Sequence, residues 1–372
     1  MFLKKICLPV FLCLAAWAQD GKKGLEIDFL TSYYDQDGDH SPVTGGLGTE
    51  ELQSASPVFV IKYTTASQWA LTANLGVDNI TSASTDRIDE GVTGDHVSGA
   101  SRLDNRVFSL FNAGRQFGRQ NWGFTLGFSK EYDYRSINGG VNWSMDFNQK
   151  NSNLAVTLHH YADTVDLYDI NGVNQGEDDR TTTDLSATFT QVLGTKTVVG
   201  LELSLSNQSG FLSSPFQEVI LTDGDHVAER LPDSRRRTAL RFSLNHAFSD
   251  RLIQRSYYRI YDDDFGIQAH SVELETHFLL PFKRKTWLYP IFRYHTQTGS
   301  DYFGLPQQFS AGDPFYTADR DLSEFDSMKY GLGMSFALNG RSFRRASWRA
   351  TYYDRDDGLT AFTLAFGLGW SL

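Results

Sequence analysis

The last residues of the chain alternate without a break. Phe362, Leu364, Phe366, Leu368, Trp370 and Leu372 are large and apolar, while Ala361, Thr363, Ala365, Gly367, Gly369 and Ser371 between them are small or polar. Successive side chains of a strand point to opposite faces, so this pattern predicts a strand with one greasy side. About eleven residues is the length a tilted strand needs to cross a bilayer, roughly twice that of an ordinary strand. Trp122, Phe124, Leu126 and Phe128 repeat the pattern, with Gly123, Thr125, Gly127 and Ser129 between them, as do Tyr330, Leu332, Met334, Phe336 and Leu338. Weaker copies lie at 69–77, 141–147, 154–158, 199–205, 240–248 and 272–280.

The connections between these strands fall into two classes. Short polar turns are expected at 64–68, 118–121, 148–152, 194–196, 249–251, 283–285 and 339–342. Long acidic loops are expected at 35–54, 81–102, 163–180, 206–235 and 297–324, with tighter links near Tyr134, 262–264 and 354–357. Short turns on one side and long loops on the other is the bacterial barrel arrangement, the short side facing the periplasm. The chain therefore reads as an all-β transmembrane antiparallel β-barrel of eight hairpins, about 16 strands within a range of 14 to 18. A soluble sandwich or solenoid also alternates, but no unit recurs at a fixed period and the strands are too long for a sandwich.

The amino terminus changes the compartment. Lys4 and Lys5, the apolar run from Ile6 to Ala15 and the small-x-small triplet Ala16-Trp17-Ala18 form a secretory signal peptide, predicted to be cleaved after Ala18. The run is too short to span a bilayer as a helix. Residues 1–18 are thus a signal peptide and 19–372 a single barrel domain in the outer membrane of a Gram-negative cell. Both cysteines, Cys7 and Cys13, fall in the leader, which removes disulfide and thiol chemistry from the mature chain. Phe11-Leu12 lacks the small residue that lipidation at Cys13 favours. Without Lys4 and Lys5 the formal charge of -11 becomes -13, which argues against nucleic acid as a partner. The expected partners are outer-membrane lipid, lipopolysaccharide and, during insertion, the barrel assembly machinery.

Parity then assigns the charges. Leu240, Phe242, Phe292 and Trp348 take the lipid side, so Arg237, Arg241, Arg255, Arg259, Arg293, Arg345 and Arg349 face the lumen, with Glu26, Asp28, Glu202, Glu273 and Glu275. Facing rows of cations and acids at a constriction would select solutes by charge. The same residues could instead pair with one another and fill a closed barrel; small residues on the Gly331 and Gly367 strands leave room and favour a pore. At the rim, Tyr33-Tyr34-Asp35, Tyr132-Asp133-Tyr134, Tyr261-Asp262 and Tyr352-Tyr353-Asp354 read as an aromatic girdle beneath solvated loops. Asp35, Asp37 and Asp39 are a candidate calcium site at the extracellular rim, although the glycine precedes the third acid and Gly46 stands where an EF-hand needs its closing glutamate. No other cofactor is expected. His40, His96, His226 and His270 supply no nucleophile motif, and neither His226-Val-Ala-Glu229 nor His159-His160 has a third ligand placed by the sequence, so no enzyme is expected.

Residues 33–52, Tyr-Tyr-Asp-Gln-Asp-Gly-Asp-His-Ser-Pro-Val-Thr-Gly-Gly-Leu-Gly-Thr-Glu-Glu-Leu, together with 210–216, 231–235 and 258–261, resemble the domain-of-unknown-function 3570 family of Gram-negative outer-membrane barrel proteins. The resemblance covers nearly the whole mature chain. It implies a barrel with no assigned substrate or catalytic residue, and it implies set conformations for the first loop and for the Pro215 and Pro232 loop. Such loops are expected to fold inward or over the mouth as a gate or plug. The resulting reading is a porin-like channel or solute-docking barrel with a charged lumen. A closed structural barrel that anchors or assembles other envelope proteins is the alternative, followed by a hydrolase at the rim.

Overall fold

The computed structural model describes residues 24–83, 104–338 and 343–371. The leader with Cys7 and Cys13, most of the loop expected at 81–102 with His96, the turn at 339–342, and Leu372 lie outside the described residues. The first strands are β1 (Gly24–Asp37), β2 (Glu51–Thr64), β3 (Ala70–Ala83), β4 (Asp104–Phe117), β5 (Gln120–Lys130), β6 (Tyr134–Phe147), β7 (Ser152–Tyr168), β8 (Asn174–Val192) and β9 (Thr197–Gly210). Two short strands follow, β10 (Glu218–Ile220) and β11 (His226–Ala228), and then β12 (Ser234–Ser249), β13 (Leu252–Asp263), β14 (Gln268–Leu279) and β15 (Thr286–Gln297). The chain closes with β16 (Phe325–Ala337), β17 (Phe343–Arg355) and β18 (Thr360–Ser371). All but β10 and β11 form one closed antiparallel barrel of sixteen strands, each paired with its sequence neighbours and β1 sealed against β18. The expected count and class are therefore met.

The outer surface is apolar. Phe124, Leu126, Phe128, Leu203, Phe242, Leu332, Phe366 and Leu368 are all exposed. Such a continuous band would be untenable in water and is the dry face of a membrane barrel. Adjacent tyrosines at the rim divide between faces instead of forming one girdle. Tyr33, Tyr132 and Tyr352 are exposed, whereas Tyr134 is buried and the Tyr261 hydroxyl donates to Asp263 at 2.7 Å.

Room is expected beside the small residues on the Gly331 and Gly367 strands, but these glycines are closely covered: a Cβ on Gly331 would lie 2.8 Å from Thr351 Cγ2 and one on Gly367 2.9 Å from Ser347 Oγ. A Cβ on Gly333 would lie 2.1 Å from the Tyr289 ring, one on Gly76 2.3 Å from Phe108, and one on Gly140 2.2 Å from His159. Each glycine lets a side chain of the neighbouring strand lie flat on the wall. Gly333→Val is expected to cost about 1–3 kcal/mol through overpacking. The check is the temperature at which the folded barrel loses its faster gel migration; an unchanged temperature would mean that Tyr289 swings aside freely.

The segment expected as a loop at 163–180 is largely strand, with β7 and β8 paired as far as Tyr168 opposite Asn174. Its acids on both faces read as loop, but a ribbon standing in water needs no apolar face. Its base is held by an inner network in which Ser136 Oγ donates to Asp163 at 2.6 Å and Arg180 Nε donates to the same carboxylate at 3.4 Å.

The loops at 38–50, 211–233 and 298–324 fold together. Val219 and Leu221 pack with Tyr316 and Ala318 in a buried cluster, joined by Val227 and Phe309. Short bridges pair Leu221 with Phe309 and Arg230 with Tyr316. The first loop joins in, since a Cβ on Gly45 would fall 2.6 Å from Ile220 Cγ1 and one on Gly46 3.5 Å from Ala318 Cβ. Both glycines have positive φ, 69° and 85°, a conformation that suits glycine. β1 and β2 stand half-way round the ring from β9 and β12. Loops from opposite sides can touch only by crossing the mouth, so these three form a cap above the lumen.

Candidate functional site

Strand register assembles a cationic wall on β12 to β17. Arg241 lies opposite Arg259 on one side and opposite Glu202 on the other. Arg255 faces Glu275, and Arg293 stands between Glu273 and Lys329. Arg349 and Arg345 follow on β17 opposite Gly333 and Ala337. The inward positions thus run as a ladder from the outer rim, at Arg235 and Arg355, to the periplasmic end, at Arg345. By register these residues share the strand face opposite the exposed Leu240, Phe242 and Leu332.

The ends of the ladder are neutralised. At the top, Arg235 Nε donates to Asp263 at 2.9 Å. Arg355 is fully enclosed between Asp321 at 2.5 Å and Asp357 at 2.6 Å. At the bottom, Asp28 accepts from Lys62 at 3.2 Å and from Arg345 at 2.8 Å. Glu275 takes Arg349 at 2.9 Å, with Arg255 at 3.8 Å and His277 Nε2 at 2.5 Å. Glu273 is held by Lys329 at 3.1 Å. Between these ends, no carboxylate among the described residues lies within 4.0 Å of Arg241, Arg259 or Arg293. Arg237, just above them, donates to Gln208.

Tyrosines brace the free guanidiniums. Arg241 lies 4.3 Å from the Tyr257 ring centroid and Arg259 5.5 Å from that of Tyr261, with Arg349 5.4 Å from Tyr289 lower down. Stacking on a ring face fixes the guanidinium plane and leaves its N–H edge open. These inward side chains are also wet: the Arg345, Arg255 and Arg349 side chains are 63%, 59% and 45% exposed, and Arg259 is exposed too. The wall opposite, on β3 to β6, is uncharged at mid-height; its inward charges lie toward the ends, where Arg106 pairs with Asp78 at 3.6 Å and Asp146 accepts from Asn153 at 2.7 Å. Asn74, Asn112, Thr125, Asn138 and Asn142 share the inward parity there, and the Thr125 hydroxyl donates to Asn112 at 2.7 Å.

Sequence parity missed Lys329, Arg235 and Arg355, although the inward positions of β16 and β17 would have found the first and last. It also missed the tyrosine braces, which need the register between strands. Asp35 and Asp37 do not sit in an ion-wrapping loop, because β1 runs through both, paired to Gln53 and Thr360. The structure does not gather Asp35, Asp37 and Asp39 into a calcium site; no group of three metal-ligating side chains occurs among the described residues. His226 Nδ1 lies 2.9 Å from Glu218 in the cap, and His270 Nδ1 lies 2.7 Å from the Tyr258 hydroxyl on the outer face.

The fold is similar to that of a bacterial polysaccharide outer membrane secretin, with a TM-score of 0.52 and 10% identity over 94% of this chain and 98% of that one. Weaker likenesses are to OccK9 (OpdG) of Pseudomonas aeruginosa, at a TM-score of 0.45 and 9% identity over 94% and 99% of the two chains. A BenF-like porin from Pseudomonas fluorescens Pf-5 gives 0.42 and 11% identity over 94% and 99%. The likeness to the secretin is one of fold, extending over nearly the whole of both chains. No curated protein matches the sequence. The model of a protein family of unknown function, DUF3570, matches residues 14–364, nearly the whole chain, and the protein belongs to that family.

Proposed function

We propose that this barrel is a porin-like channel that favours small anionic solutes, with the ladder of inward arginines as their path. The observation that carries the reading is the group Arg241, Arg259 and Arg293, inward-facing and without a carboxylate within 4.0 Å among the described residues. A lumen filled as a scaffold would be expected to neutralise every buried cation, because an unpaired charge away from water is costly. Cations kept apart from acids in a wet lumen instead lower the barrier for an anion and raise it for a cation. The uncharged amide and hydroxyl positions at mid-height of the wall opposite leave that field one-sided there. In this proposal the chain loses residues 1–18 on export, is inserted by the barrel assembly machinery, and meets lipid and lipopolysaccharide with its apolar band. No catalysis is assigned to it.

The test is the reversal potential of the refolded barrel in a planar bilayer under a potassium chloride gradient. Chloride is expected to be preferred over potassium, and Arg259→Glu should lower that preference by about tenfold, the equivalent of about 1.4 kcal/mol. A conducting barrel whose selectivity is unmoved by the substitution would take these arginines out of the mechanism. Electrical silence from a sample with heat-modifiable migration would favour the closed anchoring scaffold.

A further inference from the structure

We infer that Arg241, Arg259 and Arg293 form one binding station for a doubly charged oxyanion, half-way along the lumen. The inference rests on the channel reading for its biological sense, but the station is a physical site whether or not ions flow. Arg241 and Arg259 occupy directly opposed positions on paired strands. Like charges so placed repel, and Glu202, in register with Arg241 on its other side, offsets one of the two without coming within 4.0 Å of either. Of the two nearest acids by register, Glu273 is held by Lys329, while Glu202 accepts only from the neutral Ser204 hydroxyl at 3.3 Å and keeps its charge. Tyr257, Glu273 and Arg293 form one row across β13 to β15, and Arg241 and Arg259 form a row two residues along β13 on the same inward face, which puts all three arginines in one neighbourhood.

A fold that tolerates an uncompensated cationic cluster has left the compensation to something in solution. The chemistry of that partner follows from the donors. Guanidiniums braced by tyrosine rings present rigid N–H pairs that match the spacing of carboxylate or phosphate oxygens, a match that chloride cannot reproduce. Arg241, Arg259, Arg293 and Lys329 against Glu202 and Glu273 leave an excess of two positive charges, which favours two negative charges over one. Tyr257 stands among them with a hydroxyl able to donate to the same ligand. Among the described residues the arginines above and below are bound to carboxylates or to Gln208, so the anion would rest here rather than elsewhere on the ladder.

Titration calorimetry on the folded full-length barrel in detergent, at constant ionic strength, tests the station without reference to conduction. Inorganic phosphate near neutral pH and succinate are expected to bind saturably, and acetate at least about tenfold more weakly. Arg259→Gln and Arg293→Gln should each weaken phosphate and succinate by about tenfold or more, the usual scale for losing a charged hydrogen bond. Arg236→Gln, whose parent side chain points outward beside Asp264, should leave binding unchanged. Folding of each variant is checked by heat-modifiable migration, and Tyr257→Phe, a smaller change, should weaken binding without altering the fold. Equal binding by wild type and both arginine variants, or equal binding of acetate, overturns the station. Saturable binding in a barrel that does not conduct keeps the station and removes the channel; anion-selective conduction without saturable binding does the reverse.

Discussion

Glu229→Ala is expected to unlatch the cap, raising single-channel conductance and opening the 211–233 loop to trypsin. Glu229 is buried where two loops meet. Its carboxylate accepts from the Ser214 amide at 2.6 Å and from the Thr317 hydroxyl at 2.5 Å, so one side chain fastens the loop at 211–233 to the loop at 298–324. Thr317 is itself wholly buried. Removing the acceptor leaves the buried Thr317 hydroxyl without it, at a cost of about 1–3 kcal/mol, and the half-buried Ser214 amide as well. Besides this latch the two loops are joined by one small apolar cluster and by a few backbone bonds, such as those between Arg230 and Tyr316, so the cap is the part of the molecule easiest to open. Glu229→Gln keeps an acceptor and should show a smaller effect in both readouts. The same conductance and the same tryptic pattern in the alanine variant would mean that the loops are held by their apolar contacts and backbone bridges without Glu229.

Arg355→Met should lower the stability of the upper barrel by about 3–5 kcal/mol, because it strands acids that the arginine now neutralises. The guanidinium sits 4.7 Å from the Phe325 ring centroid and joins Asp357, in the turn after its own strand, to Asp321 in the cap. Methionine replaces the volume but not the charge. The thermal midpoint of heat-modifiable migration reads the loss, and Arg355→Met combined with Asp321→Asn should recover part of it. Full additivity of the two substitutions would show that Arg355 and Asp321 do not act on each other.

Much of the architecture was readable from the chain. The terminal strand Phe362 to Trp370 carries its dry face on even positions, and the structure exposes Phe362, Phe366 and Leu368 as that pattern requires. The inward arginines were readable for the same reason, since a charge cannot face lipid cheaply and its parity is set by its apolar neighbours. The hairpin of β7 and β8 was not, because a ribbon outside the membrane loses the alternation that marks a strand. Nor was the fate of the glycines, since what covers Gly333 is Tyr289, a residue on the adjacent strand.

Strand number, the face each side chain takes and the sidedness of the loops are properties of the sequence by itself. The period of a strand is two, and a bilayer punishes any error in it. Which charges meet is decided only by closure of the ring. Arg345 reaches Asp28, 317 positions away in the chain, because β18 seals against β1 and brings β17 within a side chain's length of it. The cap has the same origin: Gly45 and Ile220 come from opposite sides of the barrel, and their contact follows from the circumference and the loop lengths. The arginines left free at mid-lumen are defined by those pairings, since a cation is unpaired only once every acid within reach has been claimed by another.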